Sequence, residues 1–291
     1  MRGSTDTGYF HVCTDGTIVP WMFQDDEDFI AGINRIAFSH LKTYAIILAY
    51  VLMDNHVHFV LYGTMPQCKE FITLYKRLTG KWILIKYGLS DYLRHLPTDI
   101  IRIDSEERLL NTIAYLDRNA LMAGYCKLPG EYPWGSARYY FKEKSSTEFN
   151  RLVADLTKNE RRSILRTRTV IPGDWKINQF GMINPLCFLD LKKVESYYKS
   201  PLRYMYFLAK KQEGIVEQDL EHSQKAFIPD KEMRIIVSKL AGELFGVTNV
   251  KQLDVKSRLI LARRLRYDYA STVKQISRML HLEKSALDGY I

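Results

Sequence analysis

The feature that most constrains the fold is an apolar segment, residues 44–53, which reads YAIILAYVLM. Neighbouring residues of a strand point to opposite faces, so a segment that is apolar throughout predicts a central strand covered on both faces. Asp54 and Asn55 follow with turn-forming side chains, and residues 56–62 (HVHFVLY) then resemble a returning strand. The segment therefore predicts a β-hairpin inside a covered sheet.

Strand and helix patterns alternate on both sides of this hairpin. Residues 9–13 (YFHVC) predict a strand, and the acidic residues 25–28 precede a helix with an apolar face. A helix starting near Pro66, a short strand at 100–103 and a helix from Asp104 to a stop at Gly124 complete the series. The order β-α-β-β-α-β-α predicts an α+β domain of the ferredoxin-like, split βαβ type.

The pattern changes after a polar stretch at residues 142–147 (KEKSST). Beyond it the periodicity favours helices, including residues 190–211 and 230–245, and shows no convincing strand alternation. We therefore predict a first domain over residues 1–148 and an all-helical region over residues 149–291.

The formal charge is +9, and it is concentrated near the end of the chain. Residues 251–291 hold nine basic and four acidic side chains, a net charge of +5. Such a field favours a polyanionic partner, either nucleic acid or an anionic membrane.

The remaining composition indicates a cytoplasmic protein. The cysteines Cys13, Cys68, Cys126 and Cys187 form no CxxC pair and predict reduced thiols. The first residues lack the apolar core of a signal peptide, and no apolar run is long enough to cross a bilayer. We therefore expect no membrane partner.

Two histidines and one helix carry the candidate chemistry. His56 and His58 are two residues apart on a predicted strand, so their imidazoles share one face. Tyr115 and Asn119 are four residues apart on the predicted helix and share one face of it. If that helix packs on the histidine face, Asn119 supplies a third ligand to a neutral site suited to Mg²⁺ or Mn²⁺.

The segments YVLMDNHVHFVLY, YLDRNALMAG and YPWGSARYY resemble the REP-associated tyrosine transposases and the wider insertion-sequence family of single-tyrosine HUH transposases. The resemblance covers roughly residues 8–141. It implies that His56 and His58 bind a divalent metal, that Tyr115 forms a covalent 5′-phosphotyrosine intermediate, and that Asn119 completes the metal site. The implied substrate is single-stranded or hairpin DNA, in the bacterial cytoplasm at the nucleoid. The early loop, Thr14-Asp15-Gly16, departs from the arginine-glycine turn usual in the family.

Two groups of basic residues are candidate DNA contacts. The first is clustered on the second predicted helix: Lys76, Arg77, Lys81 and Lys86. The second lies in a predicted helix-turn-helix near residues 257–291, which would contact duplex DNA through its last helix: Lys274, Arg278 and Lys284.

Two alternatives keep part of this pattern. A non-catalytic, sequence-specific DNA-binding regulator derived from a transposase would rely on the C-terminal helices and tolerate loss of Tyr115. A metal-dependent phosphodiesterase acting on RNA would keep the histidines without a covalent tyrosine. The sequence leaves the target sequence, the native metal and the oligomeric state open.

Overall fold

The computed structural model describes residues 6–16, 18–142, 148–210, 229–267, 269, 271 and 273–287. Four strands form one antiparallel sheet: β1 (Thr7–Thr14), β2 (Ile46–Leu52), β3 (Val57–Thr64) and β4 (Thr98–Ile103). Their order across the sheet is β2-β3-β1-β4. Two helices lie between the strands along the chain, α1 (Asp26–Thr43) and α2 (Met65–Tyr87), and α3 (Glu106–Met122) follows β4. The chain is thus mixed α+β with a four-stranded antiparallel sheet.

Local sequence signals set the helix starts. The Asp25 side chain caps α1 by accepting a hydrogen bond from the Asp28 backbone at 3.0 Å. Thr64 and Gln67 form a reciprocal capping box at the start of α2, with Pro66 in its first turn. Each contact satisfies backbone N–H groups that the helix itself leaves without partners. The predicted starts of both helices are confirmed.

The two faces of the sheet differ in chemistry. On one face, Phe59 of β3 packs against Phe71 and Tyr75 of α2 with ring centroids 5.2 and 5.1 Å apart. Phe10 and Val12 of β1 are fully buried on the same face. Because side chains alternate along a strand, the intervening residues of β1 and β3 lie on the other face, which is polar near the ends of the strands.

The prediction that residues 44–53 form a central strand was wrong in one respect. Strand β2 lies at the edge of the hydrogen-bonded order, yet all but its first residue are buried. Its outer edge is covered by residues 132–140. The Leu52 backbone N–H donates to the Trp134 carbonyl at 3.0 Å, and Val51 pairs with Gly135 in an isolated antiparallel bridge. A covered edge requires the same apolar sequence as a central strand.

The region after α3 is not purely helical, which corrects the second part of the predicted fold. Residues 151–152 and 176–177 pair as a short antiparallel ribbon, β5 (Arg151–Leu152) with β6 (Lys176–Ile177). The helices are α4 (Lys158–Leu165), α5 (Leu191–Tyr198) and α6 (Pro201–Ala209). A two-residue strand is too short to produce an alternating pattern, so its sequence carried no signal.

Contacts divide the chain into two compact units, one from Met1–Asn119 and Leu128–Lys210, the other from Ala120–Lys127 and Lys211–Ile291. The boundary predicted at residue 148 lies inside the first unit. The Asp190 backbone donates to the Ile47 carbonyl at 2.9 Å, and the Tyr198 hydroxyl donates to the Leu110 carbonyl at 2.6 Å. These contacts join residues 189–204 to the sheet and to α3.

The second unit contains α7 (Asp230–Phe245), α8 (Val255–Tyr267), α9 (Val273–Leu280) and α10 (Lys284–Leu287). Ile276 and Leu280 of α9 and Leu287 of α10 are fully buried in its core. In the turn before α10, the Ser277 hydroxyl donates to the Leu282 carbonyl at 2.6 Å. The predicted helix at residues 230–245 is confirmed. The last helix of the predicted helix-turn-helix was expected over residues 284–290, of which 288–290 lie outside the described residues.

Every helix in the described part of the chain is too short or too polar to span a bilayer.

Candidate functional site

The polar face of the sheet is built from facing residues of β1 and β3. Cys13 lies directly opposite His58 in the antiparallel register. His11, two residues before Cys13, and His56, two residues before His58, point to the same face as this pair. Strand pairing alone therefore brings three histidines and one cysteine together.

Asn55 sets the hydrogen-bonding role of His56 Nδ1. The Asn55 side-chain nitrogen donates to the Gly16 carbonyl at 2.7 Å, so its oxygen, 2.8 Å from His56 Nδ1, can only accept. His56 therefore donates from Nδ1, and the lone pair of the neutral ring is on Nε2. A hydrogen bond of this kind fixes the orientation of the imidazole ring.

Gly16 is required by this arrangement. A Cβ at residue 16 would lie 2.8 Å from His56 Nδ1, closer than atoms of the two residues can approach. The loop that follows β1 thus approaches His56 through its backbone.

His58 and His11 are hydrogen-bonded to each other, with His11 Nε2 and His58 Nδ1 3.1 Å apart and the rings stacked. Burial, followed by the nearby Arg108 guanidinium, lowers the pKa of His11 to about 4. Burial, followed by the other two histidines, holds the pKa of His58 well below its usual value. Both imidazoles are therefore neutral at pH 7 and retain a lone pair.

Tyr115 projects from α3 onto this histidine cluster. Its ring packs edge-on against His58 and His11, with centroids 5.9 and 6.3 Å apart. Burial raises the pKa of the Tyr115 phenol, and the neighbouring Cys13 raises it further, against the opposing effects of Asn119 and Arg118. The phenol is protonated at neutral pH, so its use as a nucleophile requires loss of that proton during the reaction.

Asn119 lies beside Tyr115, as its spacing on the helix predicted. Its side-chain nitrogen donates to the Tyr115 carbonyl at 3.0 Å, and the side chain also reaches the phenol and lowers its pKa. The structure thus brings Tyr115 to His58 and Asn119 to Tyr115, while His56 contacts His58 at a ring distance of 4.9 Å.

Helix α3 is held in place on its opposite side. The Asp117 carboxyl is buried and accepts a hydrogen bond from the Tyr204 hydroxyl at 2.8 Å. Burial raises the pKa of Asp117 to about 7, although the hydrogen bonds from Tyr204 and Ser136 oppose that shift. Asp117 thus anchors the face of α3 that points away from the histidines.

His11 and Cys13 were missed in the sequence, where only the HxH pair of β3 was considered. Their ligand atoms and that of His58 all lie within 4.8 Å of one another. The segment HVC of β1 has the same two-residue spacing as HVH of β3. That signal becomes informative only when the register between the two strands is known.

The predicted DNA contacts on α2 separate into two kinds. Lys86 is 2.7 Å from Asp25 and 2.9 Å from the buried carboxylate of Asp28, and Lys76 donates to the Leu96 carbonyl and to Thr98. Both ammonium groups neutralise or satisfy groups of the chain itself, which favours a structural role for these two lysines, and their contact with DNA stays a prediction. Arg77 and Lys81 are exposed.

In the second unit, Arg278 is 2.9 Å from Asp230, and both side chains are largely buried. This ion pair joins α9 to α7, and it favours a structural role for Arg278 over a contact with DNA. The side chains of Lys274 and Lys284 lie outside the described residues.

Comparison with protein-family models, with curated proteins and with solved structures finds no significant match to this chain.

Proposed function

We propose that the chain is a single-tyrosine HUH transposase: a metal-dependent endonuclease and strand transferase that acts on single-stranded or hairpin DNA. The carrying observation is the packing of the Tyr115 ring against His58, 5.9 Å away between centroids, on the face that also holds His56. A helix tyrosine and an HxH pair meet within one chain, although 57 residues separate His58 from Tyr115. The strand order β2-β3-β1-β4 with βαββαβ connectivity further supports a ferredoxin-like HUH domain.

The donor set fits a divalent ion. His56 offers Nε2 because Asn55 holds the proton on Nδ1, His58 is neutral, and the carbonyl oxygen of the Asn119 side chain would be the third ligand. Mg²⁺ or Mn²⁺ held there would neutralise and orient the scissile phosphate.

The tyrosine performs the group transfer. Its hydroxyl oxygen forms a bond to phosphorus, its proton is lost, and the bond from phosphorus to the leaving 3′-oxygen breaks with protonation of that oxygen. The products are a 5′-phosphotyrosine ester and a free 3′-hydroxyl end. Rejoining is the reverse reaction with a different 3′-hydroxyl, so the ester conserves the bond energy.

Arg108 adds a positive charge at the same place. Arg108 lies two turns before Tyr115 on α3, and its guanidinium is near enough to His11 to lower the pKa of the His11 imidazole. A guanidinium at this position suits a phosphate oxygen of the strand.

A covalent-adduct assay tests the proposal. The full chain is incubated with Mn²⁺ or Mg²⁺ and labelled single-stranded hairpins from the DNA flanking its gene, and then separated on a denaturing gel. We expect a metal-dependent, protein-sized labelled band that Tyr115→Phe abolishes. Tyr206→Phe is the matched control, because Tyr206 is 60% exposed and its ring packs against Phe207 of the same helix.

Other outcomes distinguish the alternatives. Equal cleavage by wild type and Tyr115→Phe with no adduct would contradict the tyrosine mechanism and favour a metal phosphodiesterase. Binding of duplex DNA without any cleavage would favour the regulator. The regulator is the second candidate because α9 and α10 are joined by a short turn and pack on a shared buried core, as the two helices of a helix-turn-helix do.

A further inference from the structure

The polar face of the sheet holds a second group of side chains that could bind a metal ion, besides the proposed catalytic ligands. Cys13 and His58 face each other across β1 and β3, and His11 is 3.1 Å from His58 between ring nitrogens. We propose that His11, Cys13 and His58 form a site for a soft divalent ion such as Zn²⁺, and that an ion there inhibits the proposed nuclease because it takes His58.

The spacing of the ligand atoms fits a tetrahedral ion. Zinc–nitrogen bonds of about 2.0–2.1 Å and zinc–sulfur bonds of about 2.3 Å place tetrahedral ligand atoms roughly 3.3–3.6 Å apart. The three ligand atoms already lie within 4.8 Å of one another, on two directly paired strands. Movements of about 1 Å, which side-chain rotation supplies, would complete the geometry.

The chemistry of the ligands selects the ion. Thiolate and imidazole prefer Zn²⁺ and similar ions, whereas Mg²⁺ and Mn²⁺ prefer oxygen. On binding, the Cys13 thiol loses its proton to solvent, and the ring proton shared between His11 and His58 moves to the other nitrogen of its ring. One proton is released for each ion bound, and no oxidation or reduction takes place.

The position of the site determines how an ion bound there affects the proposed nuclease. His58 belongs to both ligand sets, and the Tyr115 ring packs against His11 as well as His58. An ion bound by His11 and Cys13 would therefore withdraw His58 from the proposed Mg²⁺ or Mn²⁺ site beside the nucleophile. The binding step stands independently, and only the inhibition rests on the proposed function.

Cobalt binding to the metal-free full chain tests the site without DNA. Co²⁺ is a spectroscopic probe for zinc sites, and a thiolate ligand produces an intense near-ultraviolet charge-transfer band. We expect that band in wild type and in Cys126→Ser, a matched control at a half-buried cysteine, and its loss in Cys13→Ser. A band retained by Cys13→Ser, or absent from wild type, would overturn the site.

A second variant, His11→Gln, tests the site in case Cys13→Ser does not fold. His11→Gln keeps the thiol and should weaken Co²⁺ binding about 10-fold or more through loss of one ligand. Circular dichroism of both variants establishes that they fold. An unchanged Co²⁺ affinity in folded His11→Gln would also contradict the proposal.

The inhibitory step is measured by adduct formation in Mn²⁺ with increasing Zn²⁺. Each protein is compared with its own zinc-free rate, and we expect the half-inhibiting Zn²⁺ concentration to rise about 10-fold in Cys13→Ser. Equal inhibition of wild type and Cys13→Ser would refute the regulatory step. If Co²⁺ binds as expected and no adduct forms in any protein, the proposed function fails and the metal site stands.

Discussion

At the scale of single residues, Asn55 sets the hydrogen-bonding role of His56 Nδ1. Its amide orientation is fixed by the Gly16 carbonyl, 2.7 Å from the amide nitrogen, and this leaves the amide oxygen to accept a hydrogen bond from His56 Nδ1–H. The sequence had marked Asn55 only as a turn residue. In the folded chain it also selects the tautomer of its neighbour.

We predict that Asn55→Ala lowers Mn²⁺ affinity about 10- to 100-fold, as loss of a hydrogen-bond partner of a metal-ligating histidine commonly does. The reason is that His56 would then sample both tautomers and several ring orientations. The affinity is measured from the electron paramagnetic resonance signal of free Mn²⁺. Asn150→Ala, at an exposed asparagine, is the control, and equal affinities in the two variants would contradict this role of Asn55.

The sequence predicted the parts of the site that one element contains. Periodicity places His56 beside His58 and Tyr115 beside Asn119, because both spacings are fixed by backbone geometry. His11 and Cys13 depend on which residue of β1 faces which residue of β3, and that register follows from packing of the whole sheet. The ion pairs of Lys86 were not predicted for a similar reason, since its carboxylate partners belong to the start of another helix.

At the scale of elements, residues 132–140 act as the cover of β2. The Tyr132 hydroxyl donates to the Leu52 carbonyl, and the Tyr140 hydroxyl donates to the Leu48 carbonyl, each at 2.7 Å. The fully buried Ser136 hydroxyl accepts from the Tyr50 backbone at 3.0 Å. This segment thus satisfies backbone groups that an uncovered edge strand leaves available to other chains.

Ser136→Ala should lower the free energy of unfolding by about 2–3 kcal/mol. The substitution leaves the buried Tyr50 N–H without its acceptor and removes the group next to the Asp117 carboxyl, 3.4 Å away. Denaturant unfolding followed by circular dichroism measures the change. Ser163→Ala, at an exposed serine, should stay within about 0.5 kcal/mol of wild type, and a similarly small effect at Ser136 would show that the cover is not held by this group.

At the scale of the whole molecule, all residues of the proposed site belong to one chain and to one compact unit. His11, His58 and Tyr115 contact one another directly. The unit that contains them consists of two segments of the chain, Met1–Asn119 and Leu128–Lys210. The sequence predicted the strands and helices of this unit as far as α3. It did not predict the unit's extent to residue 210, because long-range contacts of single side chains such as Tyr198 leave no periodic signal.

A site assembled within one chain predicts that defective chains do not rescue each other. A mixture of Tyr115→Phe and His58→Ala should form no more adduct than the sum of the two variants alone. A tyrosine supplied by a partner chain would instead restore about a quarter to a half of wild-type activity in mixed dimers. Gel filtration of the mixture, with wild type in parallel, establishes whether mixed assemblies were available.

The contact between Gly16 and His56 has a consequence for how this loop can vary. Most loop positions accept many substitutions, and a short turn after a strand would ordinarily be one of the more permissive places in a domain. At residue 16, however, even the methyl group of alanine would occupy the space of the imidazole. A scan of all single substitutions should therefore show one sharply intolerant position in this loop. That position would be found through loss of metal-dependent activity at unchanged thermal stability.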